Sequence, residues 1–551
     1  MKRIVSLLLC LTLILPCCIV IAYGLERTPF SGIKTLERSI SYSSENTTPT
    51  AEAVGSGIAT TREEVLQPLS NDYRSRTETV YPDINGEDVT VYGFYRDVYE
   101  SGNNPNFSQA LMLYQCIKYK MKHPDKPVYI SIQSFHFSIA LAACVDPAKP
   151  DYGHTKNLYD SDYTDDGYIR LSYLLVEAAK LGIEVYVIGQ LDAGATLQEG
   201  GVLLPDFSFV NYFNSHLNDD AYVSGKKVSD FMVFGNCRWT SYGDKSAADM
   251  MHNKTCTVSN YIDNNGVEHG AAIWLGSINI DGVDINEKNG NESIQTAVVI
   301  TNHEKMRQII YNFTRLVAAY CEQEDIVPFR VEAVRKTTEQ IDLILNGKEN
   351  EIEKEEQIVY LGTEEDSVFE LYFTPLGGNF STWDTTYNPF AKYIYKMLAA
   401  ADSEHHIEFM WNNVKYTQNF ELADIILEAL GTAFAKNGNK DSILHLHLPG
   451  AYEAYFSNLT VGENVGYKFV NDAYIQYHIK DLQLSYVEDG VRQYITVLNS
   501  LNIHEGSSYH QTNTILIIKE NDNTGNNFYV EFAALTSPNT NSLSRRVTGK
   551  K

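Results

Sequence analysis

The sequence predicts an α/β protein built from two duplicated lobes, each a mixed β-sheet flanked by helices. Three observations predict it. Short apolar, β-branched runs alternate with segments of helical period, the pattern of a largely buried sheet covered by helices. The series strand, helix, strand, helix, strand occurs twice, in the same order and with similar lengths, and an internal duplication is the simplest account of that. Between the copies, residues 336–357 are dense in Glu and Lys and read as a solvated connector.

Taken in order, Lys2 and Arg3 precede an apolar run over 4–22 and a polar stretch beginning near Glu26. A short basic region feeding one hydrophobic core is the layout of an export signal, here residues 1–25, with an uncleaved anchor as the alternative. A secreted or cell-surface location follows as an expectation. Residues 26–76 are rich in Ser, Thr and Glu without periodicity and read as a disordered leader. The first lobe is expected over 77–335, with strands at 89–95, 128–135 and 183–189 and helices at 107–122 and 169–181. The second lobe is expected over 358–538. It repeats the series with strands at 369–375, 406–412 and 442–448 and helices at 390–401 and 422–436. Residues 539–551 are left as a tail.

Composition narrows the function. There are 44 Lys and Arg against 70 Asp and Glu, a formal net charge of -26. A field of that sign repels polyanions, so a nucleic-acid partner is disfavoured, although a local basic pocket is compatible with it. Of the eight cysteines, three fall in the signal and the rest are Cys116, Cys144, Cys237, Cys256 and Cys321. An odd, one-sided set without CxxC spacing is neither a disulfide framework nor a zinc site. His405 and His406, or His445 and His447, look metal-like in isolation, but their strand setting gives them a structural reading. No metal and no cofactor are implied.

Each half ends its strand series with the same constellation. The first has MHNKTCTVS, giving His252 and Lys254, and then AAIWLGSINI, giving Gly276, Ser277 and Asn279. The second has YHIKDLQLS, giving His478 and Lys480, and then YITVLNSLNI, giving Ser500 and Asn502. One HxK triplet arises by chance in any long chain. Two, at equivalent points of a duplication and each followed by SxN on an apolar strand, do not. Over residues 80–535 the chain resembles the phospholipase D superfamily, whose signature is HxKxxxxD followed by GSxN.

His and Lys two apart on a strand project to one face, as do Ser and Asn on the neighbouring strand. The resemblance implies two lobes packed face to face as a pseudo-dimer, pooling these groups around one phosphate diester. Lysines would neutralise the phosphoryl oxygens, while Ser277, Asn279, Ser500 and Asn502 would hold them. One histidine, neutral, attacks phosphorus to give a phosphohistidine. The other, protonated, donates to the leaving alcohol and then activates the second acceptor. By resemblance, His252 is the nucleophile and His478 the acid.

Three departures qualify the match. The motif Asp is Ser259 in one half and Ser485 in the other, with Asp481 nearby but out of register. Asn499 replaces the glycine of the second GSxN. The positions expected to orient the histidines carry neutral amides, Gln295 and Asn513, which stabilise an imidazolium less than a carboxylate would. A lower pKa for the acid histidine follows.

The expected substrate is a phospholipid or another phosphodiester, cleaved or transferred by a monomeric enzyme with access to a membrane surface. A nuclease of the same superfamily, or a non-catalytic phosphate- or lipid-binding protein, are the alternatives. Trp239, Tyr242, Trp383 and Trp411 are candidate rim residues. The segment 260–270 reads as a hairpin remote from the chemistry.

Overall fold

A computed structural model describes residues 76–96, 106–189, 198–203, 209–236, 250–280, 292–321, 368–373, 392–396, 406–411, 443–449, 465–470, 475–500 and 511–536, with breaks at 85, 136, 147–148, 200–201, 394–395 and 526. The expected signal, connector, tail and second-lobe helix at 422–436 lie outside these residues, as does the leader apart from Arg76.

The first sheet is formed by β1 (Arg76–Ile84), β2 (Glu87–Arg96), β3 (Tyr129–Ser134), β4 (Glu184–Gly189), β5 (Met232–Asn236), β6 (Lys254–Val258), β7 (Ala272–Gly276) and β8 (Glu292–Thr301). Its order is β1-β2-β8-β7-β6-β3-β4-β5. The second comprises β9 (Phe369–Phe373), β10 (His406–Trp411), β11 (Ile443–Pro449), β12 (Val465–Val470), β13 (Lys480–Glu488), β14 (Val491–Asn499) and β15 (Thr514–Asn521). Its order is β9-β15-β14-β13-β10-β11-β12.

From β2 onward the two orders coincide strand for strand. In both, the first four pairings are antiparallel and the last two parallel. The repeat read from the sequence is therefore a repeat of topology.

The near-continuous apolar strands of the first sheet reflect cover on both faces. Helices α1 (Asn106–Lys122) and α2 (Leu171–Lys180) occupy one side, where Cys116 of α1 lies close to Cys256 of β6. Helix α3 (Glu304–Cys321) occupies the other; there Gln133 of β3 donates Nε2 to Thr314 Oγ1 at 2.8 Å. Cys116, Cys144 and Cys256 are free, buried thiols.

One hydrophobic cluster runs through both sheets. It takes in Val298 and Ile300 of β8, Met306 and Phe313 of α3, and Leu371, Leu516 and Ile518 of the second sheet. Phe313 stacks on Phe373 with ring centroids 4.0 Å apart, an aromatic pair of the kind that adds about 0.5–1.5 kcal/mol beyond its buried area.

Helix α4 (Asn527–Thr536) follows the second sheet but packs on the β1–β2 hairpin of the first. A Cβ on Gly93 would lie 2.8 Å from Phe532 and 3.2 Å from Phe528, so only glycine lets that helix seat. Glu520 fixes the entry, accepting from Tyr81 Oη at 3.0 Å and from the backbone N–H groups of Phe528 and Tyr529. A carboxylate on the first N–H groups of a helix satisfies donors with no partner inside it.

One reading is corrected and one holds. Among the described residues regular structure begins at Arg76, with β1, rather than near Val89. In β1 the buried positions are Thr77, Thr79 and Tyr81, so its inward face carries little hydrophobic signal. Segment 260–270 does form a hairpin, Tyr261–Ile262 pairing with Glu268–His269. Among the described residues no helix is long and apolar enough to cross a membrane.

Candidate active site

The motif residues are positioned by two short cross-pairings between the halves. Met250–Met251, just before His252, pairs in parallel with Gln511–Thr512, just before Asn513. Ile475–Tyr477, just before His478, pairs in parallel with Glu292–Ile294, just before Gln295. Each histidine thus emerges beside the amide of the opposite half. His252 Nδ1 lies 2.8 Å from Asn513 Oδ1, and His478 Nδ1 lies 3.0 Å from Gln295 Oε1.

With an amide oxygen as partner, Nδ1 carries the hydrogen and Nε2 keeps its lone pair. Each oxygen is itself held by a serine. Ser277 Oγ donates to Gln295 Oε1 at 2.7 Å and accepts from the Thr296 N–H at 3.0 Å. Ser500 Oγ donates to Asn513 Oδ1 at 3.2 Å and accepts from the Thr514 N–H at 3.2 Å. The two halves repeat this detail bond for bond.

The lysines follow the same symmetry. Lys254 Nζ donates to His252 O at 3.0 Å, and Lys480 Nζ to His478 O at 2.9 Å. Both ammonium groups are buried. A buried ammonium is costly unless an anion or an acceptor meets it. Burial holds the His478 imidazolium well below its usual range. Lys480, Lys254 and the facing His252 push the same way, and a backbone hydrogen bond at Ser277 opposes them. The expected depression of that histidine is present, and desolvation is its first cause.

Three sequence readings change in detail. His252 and His478 precede β6 and β13 rather than lying on them, so strand alternation aims only the lysines. Ser277 and Asn279 lie beyond the end of β7, and Ser500 beyond β14. The serine hydroxyls hold the orienting amides. Asn279 is buried on the strap that follows, its carbonyl accepting from Asn106 Nδ2 at 2.9 Å. Asn502, Trp239, Tyr242 and Trp383 lie outside the described residues. Trp411 is on β10, opposite Lys480.

The departures from the signature have local explanations. Ser259 exchanges hydrogen bonds with the Tyr129 backbone at 3.0 Å, bracing β6 against β3. Ser485 accepts from Arg492 Nη1 at 3.3 Å. Gly276 is needed where it stands, since a Cβ there would sit 2.6 Å from Thr296 O. Its counterpart Asn499 uses its side chain, donating Nδ2 to the Lys480 carbonyl.

Sequence reasoning passed over Asn253 and Thr514. Thr514 Oγ1 donates to Asn253 Oδ1 at 2.9 Å, and Asn253 Nδ2 donates to Gln133 Oε1 at 2.7 Å. This chain of bonds ties the second half to α3. Its one sequence signal was the polar middle residue of the first HxK, where the second has Ile479. Among the described residues no group of His, Cys, Asp and Glu is arranged to hold a metal.

No family model matches the sequence, and no curated protein matches it. Among solved structures the chain is similar to phosphatidylserine synthase from Haemophilus influenzae Rd KW20. The TM-score is 0.44 at 9% identity, over 86% of this chain and 90% of that one. Yeast tyrosyl-DNA phosphodiesterase gives 0.31 at 8%, over 71% and 83%. NucT from Helicobacter pylori gives 0.23 at 11%, over 42% and 97%. These likenesses are remote, and the functional reading rests on the residues of the site. In its paired motifs, and in the single site into which they fold, this chain resembles the phospholipase D superfamily.

Proposed function

We propose that the chain is a phosphodiester-cleaving or -transferring enzyme of the phospholipase D type, its two halves acting as a pseudo-dimer around one phosphate. The observation that carries the reading is the crossed pair of imidazole–amide hydrogen bonds, which aligns a histidine from each half with two lysines.

His252 Nε2 attacks phosphorus, and the bond to the leaving oxygen breaks as His478 supplies that oxygen with a proton. Neutral His478 then takes a proton from water or an alcohol, whose oxygen displaces His252 and breaks the P–N bond. Lys254 and Lys480 face the non-bridging oxygens with the Asn279 amide, and Asn502 is the equivalent donor of the second half. Burial, with Lys480 and Lys254, favours neutral His478. A bound phosphodiester monoanion offsets the two ammonium groups and favours the protonated acid that the first step needs.

A phospholipid-type substrate fits the net charge of -26 better than a nucleic acid does. The basic, then apolar N-terminus supports export, with the site available to lipid at a membrane surface. The test is incubation of the purified chain with mixed phospholipids and with single-stranded DNA, beside its His252→Ala variant. Head-group release that disappears in the variant supports the reading. DNA fragmentation moves the substrate to nucleic acid, and activity that survives the variant overturns the mechanism.

A further inference from the structure

The two halves of the site are not alike in one respect. At the end of β3, Ser134 lies opposite Lys254, and at the end of β10, Trp411 lies opposite Lys480. The next residue is Phe135 in the first half and Asn412 in the second.

The half-buried Phe135 ring has its centroid 5.2 Å from the His252 ring, tilted by 59°. Lys254 Nζ stands 5.6 Å from the same centroid. Both flanks of Phe135 are anchored. Ser134 Oγ accepts from the Ile280 N–H at 2.9 Å. Phe137 bridges Ile280 and is buried against Phe209 and Phe213. Ile280 directly follows Asn279, so the segment that carries the aromatic ring is bonded to the strap that carries that amide.

In-line displacement decides what such a ring can touch. The leaving oxygen departs opposite His252, towards His478, and the second acceptor arrives from that side. A group beside His252 meets neither. It meets the ester arm that stays on phosphorus through both steps.

We propose that Phe135 is a specificity-determining platform for this retained arm, selecting an alcohol whose first carbons are apolar or aromatic. The inference rests on the phosphodiesterase reading above and adds the side of the substrate that is read.

Two esters with one chromophore test it: benzyl p-nitrophenyl phosphate and methyl p-nitrophenyl phosphate. The expected result is a wild-type preference for the benzyl ester in kcat/KM. That preference should fall roughly three- to tenfold in Phe135→Ala, the size of a lost aromatic contact. It should persist in Phe135→Tyr, and in Phe135→Ala any loss on the methyl ester should be smaller than the loss on the benzyl ester. Equal losses on both esters, or no loss, would overturn the proposal.

Calorimetric binding of benzyl(methyl)phosphinate against dimethylphosphinate, neither of which has an ester to cleave, separates the two ideas. If the wild type cleaves neither ester but binds the benzyl compound more tightly through Phe135, the phosphodiesterase reading fails and the platform stands. Indifference to the arm in both assays removes the platform.

Discussion

His478 in the second half donates from Nδ1 to Gln295 Oε1 in the first at 3.0 Å, a bond that reaches from one half of the chain to the other. A neutral amide fixes the ring and its tautomer without adding charge. That leaves the acid–base poise of the site to burial and to the lysines, which can be tested directly.

Gln295→Glu places a negative charge on the His478 ring. An opposite charge at this range raises an imidazole pKa by about 1–3 units. The acid form then persists to higher pH, so the basic limb of the pH–kcat profile moves upward by a comparable amount. Gln295→Leu, which cannot hold the ring, lowers kcat without moving the limb upward.

The two histidines are separated by their dependence on the leaving group. On the proposed mechanism His252→Ala removes the nucleophile and should lower turnover by about 10²–10⁴-fold whatever the leaving group. His478→Ala spares p-nitrophenol, which departs without a proton, and strongly impairs an alkyl leaving group. The reverse pattern in a paired assay exchanges the two roles.

Asp481 is fully buried, and its carboxyl is raised to about 7 by burial, opposed by hydrogen bonding to Thr296 and by Lys480. Between about pH 4 and 7 the folded chain holds a proton that the unfolded chain has lost, so stability from this group falls as pH rises. Above pH 7 an ionised carboxylate remains buried. Asp481→Asn is therefore more stable than wild type at pH 8, by up to about 4 kcal/mol, and the gap closes below about pH 4. Thermal melts at the two pH values measure this.

Glu370 titrates the opposite way. Burial alone would raise its carboxyl, but Lys519, the Tyr372 and Tyr393 hydroxyls and Lys392 outweigh it and bring it to about 2. Its contribution is present above the usual carboxylate range and lost as pH falls through 2. Glu370→Gln should lower stability at neutral pH by on the order of 3 kcal/mol, read by urea denaturation.

Much of the topology was legible because its signals are local. The strands at 128–135, 183–189, 369–375 and 406–412 show themselves as short β-branched runs, and the two HxK and SxN motifs by their spacing. The β1 hairpin was not, since Thr77 and Thr79 fill its inward face. The crossing of His252 to Asn513 and of His478 to Gln295 was not either, because the partners lie 261 and 183 residues apart. No spacing rule links such positions. Their place in SxN presents the serines as phosphate donors, whereas the fold turns their hydroxyls towards the amides behind the imidazoles.

The crossed arrangement also sets the order of events during synthesis. His252 finds its oxygen only when Asn513 exists, and the hairpin at Arg76 is sealed by Phe528 and Phe532. A growing chain paused at residue 500 would have one complete sheet and no working centre. On the proposed mechanism the chain stays inert while it is being made, and its chemistry begins only once Asn513 has reached His252.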